Sequence, residues 1–97
     1  MIRLKDAASA PTLEIDWSDA LADGDVVTGC GWSVSPDESG GLTVTDEAFN
    51  NELTTARIAG GVEGRLYRLT AAIETQAGNR DARSIAIRIG AARAELA

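Results

Sequence analysis

Residues 60–89 read GGVEGRLYRLTAAIETQAGNRDARSIAIRI, and the fold is decided here. Tyr67, Leu69, Ala71 and Ile73 alternate with Arg68, Thr70, Ala72 and Glu74, the period of two that turns one face of a strand to a core and the other to solvent. Ile85, Ile87 and Ile89 repeat that period after a polar interval. Between the two runs, Gln76-Ala77-Gly78-Asn79-Arg80 holds a glycine and an asparagine, residue types that tolerate positive φ, so a hairpin is the expected connection. The hairpin carries the best apolar face of the chain, against which the remaining segments are expected to pack.

Upstream, Leu13, Ile15 and Trp17 alternate with Glu14 and Asp16, giving a strand whose apolar face ends in a ring expected to plug the core. Residues 18–25, SDALADGD, suit either a single helical turn capped by Ser18 or a wide loop. In residues 26–34, VVTGCGWSV, the residues Val26, Thr28, Cys30, Trp32 and Val34 share one parity. Gly29 and Gly31 lie on the other, where a strand glycine marks a bulge, a close backbone approach or room for a neighbouring ring. Residues 35–41 form a loop, Leu42-Thr43-Val44 a short strand, and residues 46–50 a polar corner holding Phe49. Residues 53–58 return as a strand with Thr54, Ala56 and Ile58 in register and Arg57 facing out.

These segments add up to an all-β domain, a small antiparallel immunoglobulin-like β-sandwich of about six to seven strands, with a small closed barrel as the alternative. The expected division is an extended arm over residues 1–12, the sandwich over 13–89 and a tail over 90–97, GAARAELA, too short to hold a helix unaided. A chain of 97 residues with 44% apolar and only 4% aromatic content and ten glycines suits one small sheet domain.

The net charge of −6 and the absence of a basic stripe argue against nucleic acid as a partner. Acids concentrate between Asp16 and Glu52, whereas Arg65, Arg68, Arg80, Arg83, Arg88 and Arg93 fall in the second half. This asymmetry either steers head-to-tail association between copies or is ordinary solvated charge on a sandwich. A single cysteine, Cys30, and no histidine exclude an internal disulfide and a zinc cluster. The sequence shows neither a basic-then-apolar leader nor an apolar run near the length of a membrane span. The expectation is a protein made and kept in a cytosol, with no membrane partner.

Catalysis needs a nucleophile with its base, a carboxylate pair or a metal, and the sequence assembles none of these, so no catalytic, cofactor-binding or metal residues are assigned and the protein is expected to be non-enzymatic. Gly60-Gly61-x-x-Gly64 lacks the Lys-Ser/Thr of a phosphate loop and precedes a strand, so it reads as turn geometry. Asp16, Asp19, Asp23 and Asp25 offer oxygen ligands, but without the alternating acids and closing Glu of a calcium loop they read as solvated turn acids.

The order and spacing of several short motifs carry a resemblance. They are Lys5-Asp6, Asp16-Trp17-Ser18 with Leu21 and Gly24-Asp25, Trp32-x-Val34, Gly60-Gly61 with Gly64, Tyr67-x-Leu69-Thr70, Thr75-x-x-Gly78-x-x-Asp81-x-Arg83-Ser84 and Ile87-Arg88-Ile89. Together they resemble small phage and prophage proteins known as fiber-tail adaptors. The resemblance implies a virion structural protein at the tail or head-tail junction, joined to other phage structural proteins and present as a homo-oligomer in the particle. A head decoration protein and a carbohydrate- or ligand-binding sandwich module are the alternatives. The chain departs from the family pattern at Ala8-Ser9-Ala10-Pro11, at Asn79 before Arg80, and in its tail.

Overall fold

The computed structural model describes residues 2–90. These form seven strands: β1 (Ile2–Asp6), β2 (Thr12–Asp16), β3 (Val27–Ser35), β4 (Leu42–Phe49), β5 (Leu53–Gly60), β6 (Leu66–Thr75) and β7 (Arg80–Gly90). One sheet has the order β1-β7-β6-β3 and the other β2-β5-β4. Every pairing is antiparallel except that of β1 with β7. The expected all-β, two-sheet architecture is therefore present, and its strand order is compatible with the immunoglobulin-like arrangement.

The β6–β7 hairpin forms where the alternation placed it. Tyr67, Leu69, Ala71 and Ile73 are buried on β6, Ile87 and Ile89 on β7, and Ile85 is half-buried. The turn closes with Thr75 N–H donating to the Asn79 carbonyl at 2.9 Å, and Gly78 takes the positive φ of 88° that the turn demands. The opposing sheet contributes Leu13, Ile15, Thr54, Ala56 and Ile58. Two apolar clusters result, one around Tyr67, Leu69, Ile58 and Ile87, the other around Trp17, Val27 and Ile73. Trp32 and Ile85 pack against both.

Three segments differ from the sequence reading. Residues 2–6, read as part of an arm, form β1 at the edge of the larger sheet, paired from Ile2↔Ala86 to Asp6↔Gly90. The apolar period that betrays a strand is missing because the buried residue is Lys5, only 4% exposed, whose ammonium donates to the carbonyls of Asp6 (2.9 Å) and Gly60 (2.8 Å). Burial lowers the Lys5 pKa, with Asp6 opposing the shift. In β3 the register shifts between Val27 and Gly29, so Val27 is buried and Thr28 exposed; the assumed shared parity of Val26, Thr28 and Cys30 is broken by this bulge.

Beyond Val44, β4 continues through a second register shift between Thr45 and Ala48, with Asp46 at φ 54°, where a polar corner was expected. Residues 18–25 take the loop alternative, tied by Ala20 N–H to the Trp17 carbonyl and Asp25 N–H to the Ala22 carbonyl. The tail expected over residues 90–97 lies outside the described residues except for Gly90, which ends β7.

Candidate interaction surface

The candidate residues singled out by sequence gather at two ends of a molecule measuring 47 × 29 × 22 Å. At one end β2 leads into the loop of residues 18–25. Trp17 is completely buried there, and its indole N–H donates to the Thr54 hydroxyl at 2.9 Å. The guanidinium of Arg83, from β7, lies 4.7 Å from the centre of the Trp17 ring. It also donates to the Asp16 carbonyl at 2.9 Å and to the Asp19 carboxylate at 2.6 Å. One arginine thus fastens the loop to a strand 64 residues away in sequence.

The aspartates of that loop have separate duties. Hydrogen bonding and charge from Arg83 hold the Asp19 carboxyl below its ordinary range, and the Ser18 amide does the same for Asp16. Asp25 is lowered chiefly by hydrogen bonding with Thr75, helped by the amides of Ala77 and Val26. Its Oδ1 accepts from Val26 N at 2.9 Å and from Ala77 N at 3.1 Å, stitching the start of β3 to the β6–β7 turn. No group of three or more metal-ligating side chains occurs among the described residues.

The Asn50–Leu53 turn closes this end, because Glu52 and Asn51 carbonyls accept from Trp17 N (2.8 Å) and Val27 N (3.0 Å). Between the turn and the loop lies an open cleft with Leu21 and Val26 at its floor and Asp23, Asp25 and Glu52 among its walls. Phe49, 46% exposed, ends β4.

Trp32 and Cys30 sit together on β3, both half-buried. Burial raises the Cys30 thiol pKa, and the nearby Glu47 charge adds to it. The Trp32 indole N–H is buried without a hydrogen-bond acceptor in bonding geometry, although the Cys30 sulfur is close enough to sense it. Beside them Gly29 and Gly31 open onto space where a Cβ would meet nothing within 4 Å. They do not make room for a neighbouring ring. With Ala72 and Ala82 they floor a shallow trough on the outer face, closed off by the Glu74–Arg80 ion pair at 3.5 Å.

At the opposite end the outer face changes character. Leu4, Arg88 and Leu66 stand side by side across β1, β7 and β6, and Arg68 pairs with Ala86 in the next row. Leu4 is 75% and Leu66 51% exposed. Arg68 and Arg88 are exposed and make no ion pair with any described residue, whereas Arg65 pairs with Glu38 at 3.3 Å. Glu38 also accepts from the Tyr67 hydroxyl at 2.6 Å, and burial followed by this bond raises the Tyr67 pKa.

A family model, described as podophage GP4 fiber-tail adaptor protein gp77, matches residues 5–88. The chain belongs to this family. The match runs from Lys5 in β1 to Arg88 in β7, so it spans β2 to β6 whole and enters the two flanking strands. Membership makes the adaptor-family chain a phage tail structural protein. No curated protein matches it. No helix among its described residues is long and apolar enough to cross a membrane. Of the three departures read from the sequence, Ala8-Ser9-Ala10-Pro11 joins β1 to β2, Asn79 lies in the hairpin turn, and the tail lies outside the described residues but for Gly90.

The sequence reading missed Leu4, Leu66 and Phe49 as surface features. Leu66 carried a signal, since it shares the outward parity of Arg68 and Thr70 in β6.

Proposed function

We propose that the protein is a non-enzymatic adaptor of the virion, present in several copies at the tail or head-tail junction and linking other tail components. The observation that carries this reading is the family match across residues 5–88. The surface is in keeping with it, since the two ends of the sandwich differ in charge and each exposes apolar side chains, as a protein bridging neighbours requires. Production in the host cytoplasm followed by incorporation into the particle, without nucleic-acid or membrane partners, completes the proposal.

A carbohydrate-binding module needs an exposed aromatic platform, and Trp17 lies wholly buried beneath Arg83 while Trp32 packs into both core clusters. Deleting the gene from an inducible prophage and purifying the particles tests the adaptor. Wild-type virions should contain the protein, and its loss should leave heads unjoined to tails or tails without fibers. Normal infectivity after deletion, with no protein in wild-type virions, overturns the reading; protein found only on capsids lacking tails favours head decoration.

A further inference from the structure

Two surfaces at opposite ends of this chain complement each other. On the outer face of the larger sheet, Leu4 and Leu66 flank Arg88 across three adjacent strands. Neighbouring strands lie about 4.8 Å apart, so the two leucines bracket the cation within about 10 Å. Arg68 stands one row away. Neither arginine has an anionic partner among the described residues, although acids are abundant in the chain. Asp37 and Glu63 share that end but sit on loops, and Asp6, two residues along β1 from Leu4, accepts the Ala8 N–H at its Oδ1 at 2.9 Å.

The other end offers the counterpart. Its cleft is lined by the half-buried Leu21 and Val26 and by the carboxylates of Asp23 and Glu52. Arg83 and Arg80 are already occupied there by Asp19 and Glu74, which leaves the cleft's acids uncompensated. A flat cationic corner with two aliphatic side chains therefore has, on the same polypeptide, an anionic recess with apolar lining. Complementary charge fixes orientation and partner, and the apolar contacts supply the burial.

We propose that these two surfaces bind one another between copies, the Leu4–Arg88–Leu66 corner of one molecule seating in the Asp23–Glu52 cleft of the next. The occupant of each surface is a second copy of this chain, and the contact is heterologous, leaving one free surface of each kind at the ends of any assembly. Such a contact closes into a ring or grows as an open chain. The inference deepens the multi-copy reading above by naming the interface.

Its test uses two full-length variants altered only at exposed positions, Leu66→Ser/Arg88→Glu and Asp23→Lys/Glu52→Lys, each checked for a wild-type thermal melt. Sedimentation of the wild type at low salt, up to about 1 mM, should show mass rising with concentration and falling as salt is added. Each variant alone should remain monomeric, with association weakened about tenfold or more. Mixed in equal amounts they should associate again, because the intact cleft of one meets the intact corner of the other and the two charge reversals also complement each other. Should either variant fail to fold, the single changes Arg88→Glu and Glu52→Lys give the same mixing test. A wild type that stays monomeric throughout, a variant that self-associates like the wild type, or a mixture that remains monomeric overturns the interface. Particles that contain the protein despite such a result keep the adaptor reading and discard only this contact.

Discussion

The two tryptophans show how far a single side chain can be read from sequence. Trp17 closes an alternating run, and the structure buries it completely against Thr54 and Arg83. Trp32 follows the same parity logic, yet it is only half-buried, because β3 lies at the edge of its sheet. Trp17→Ala should cost about 3–5 kcal/mol, and Trp32→Ala clearly less, in urea unfolding. Equal losses would mean that the edge ring is as central as the buried one. The acids of the 18–25 loop were legible as turn acids; their individual partners were not, since Arg83 and Ala77 arrive from distant sequence. The folded carboxyls of Asp16, Asp19 and Asp25 lie below the ordinary value of 3.8. The stability they contribute is thus complete above about pH 5 and is lost as pH falls through the ordinary value and then the lower folded values. Asp25→Asn, which keeps an acceptor but removes the charge, should flatten this acid limb; an unchanged pH profile would remove Asp25 as a contributor. EDTA or added Ca²⁺ should leave the melting temperature unchanged, and a calcium-dependent rise of several degrees would expose a cation site.

Strands announced by apolar alternation were found where the sequence put them; those governed by something else were not. β6 and β7 are the clear case, and β5 keeps the expected register of Thr54, Ala56 and Ile58. β1 escaped because a lysine fills its inward position, and its ammonium is satisfied by two carbonyls that no sequence pattern reveals. An inward-facing charge on an edge strand also discourages stray strand pairing. The far half of β4 escaped because a bulge with positive φ at Asp46 interrupts its parity. Turns offer a cleaner comparison. Gly61 has φ 107°, and a Cβ there would lie 2.6 Å from Ile89 Cδ1, whereas at Gly78, with φ 88°, it would meet open space. Gly78→Ala should therefore cost only backbone strain, about 1–2 kcal/mol. Gly61→Ala adds overpacking of about 1–3 kcal/mol to its strain and should melt markedly lower. Equal melting temperatures would show that Ile89 yields freely.

Across the whole molecule, the charge asymmetry noted between the halves of the sequence becomes an asymmetry between ends of the sandwich, partly cancelled inside the chain by Arg65–Glu38 and Arg83–Asp19. The sequence indicated the imbalance but not which arginines remain available, since that depends on the pairing of strands far apart in the chain. Among the described arginines of the second half, Arg68 and Arg88 are the ones left over. Strand order has a further consequence, in time. β7, the last strand described, is inserted between β1 and β6, and β1 has no other strand beside it. On a ribosome, β1 must wait without its hydrogen-bonding neighbour until β7 has been made, so the larger sheet cannot be completed before that point. Pairing across such a sequence separation is slow to form. A nascent chain short of β7 consequently lacks the juxtaposition of Leu4, Arg88 and Leu66, and that corner comes into being only on molecules translated through β7.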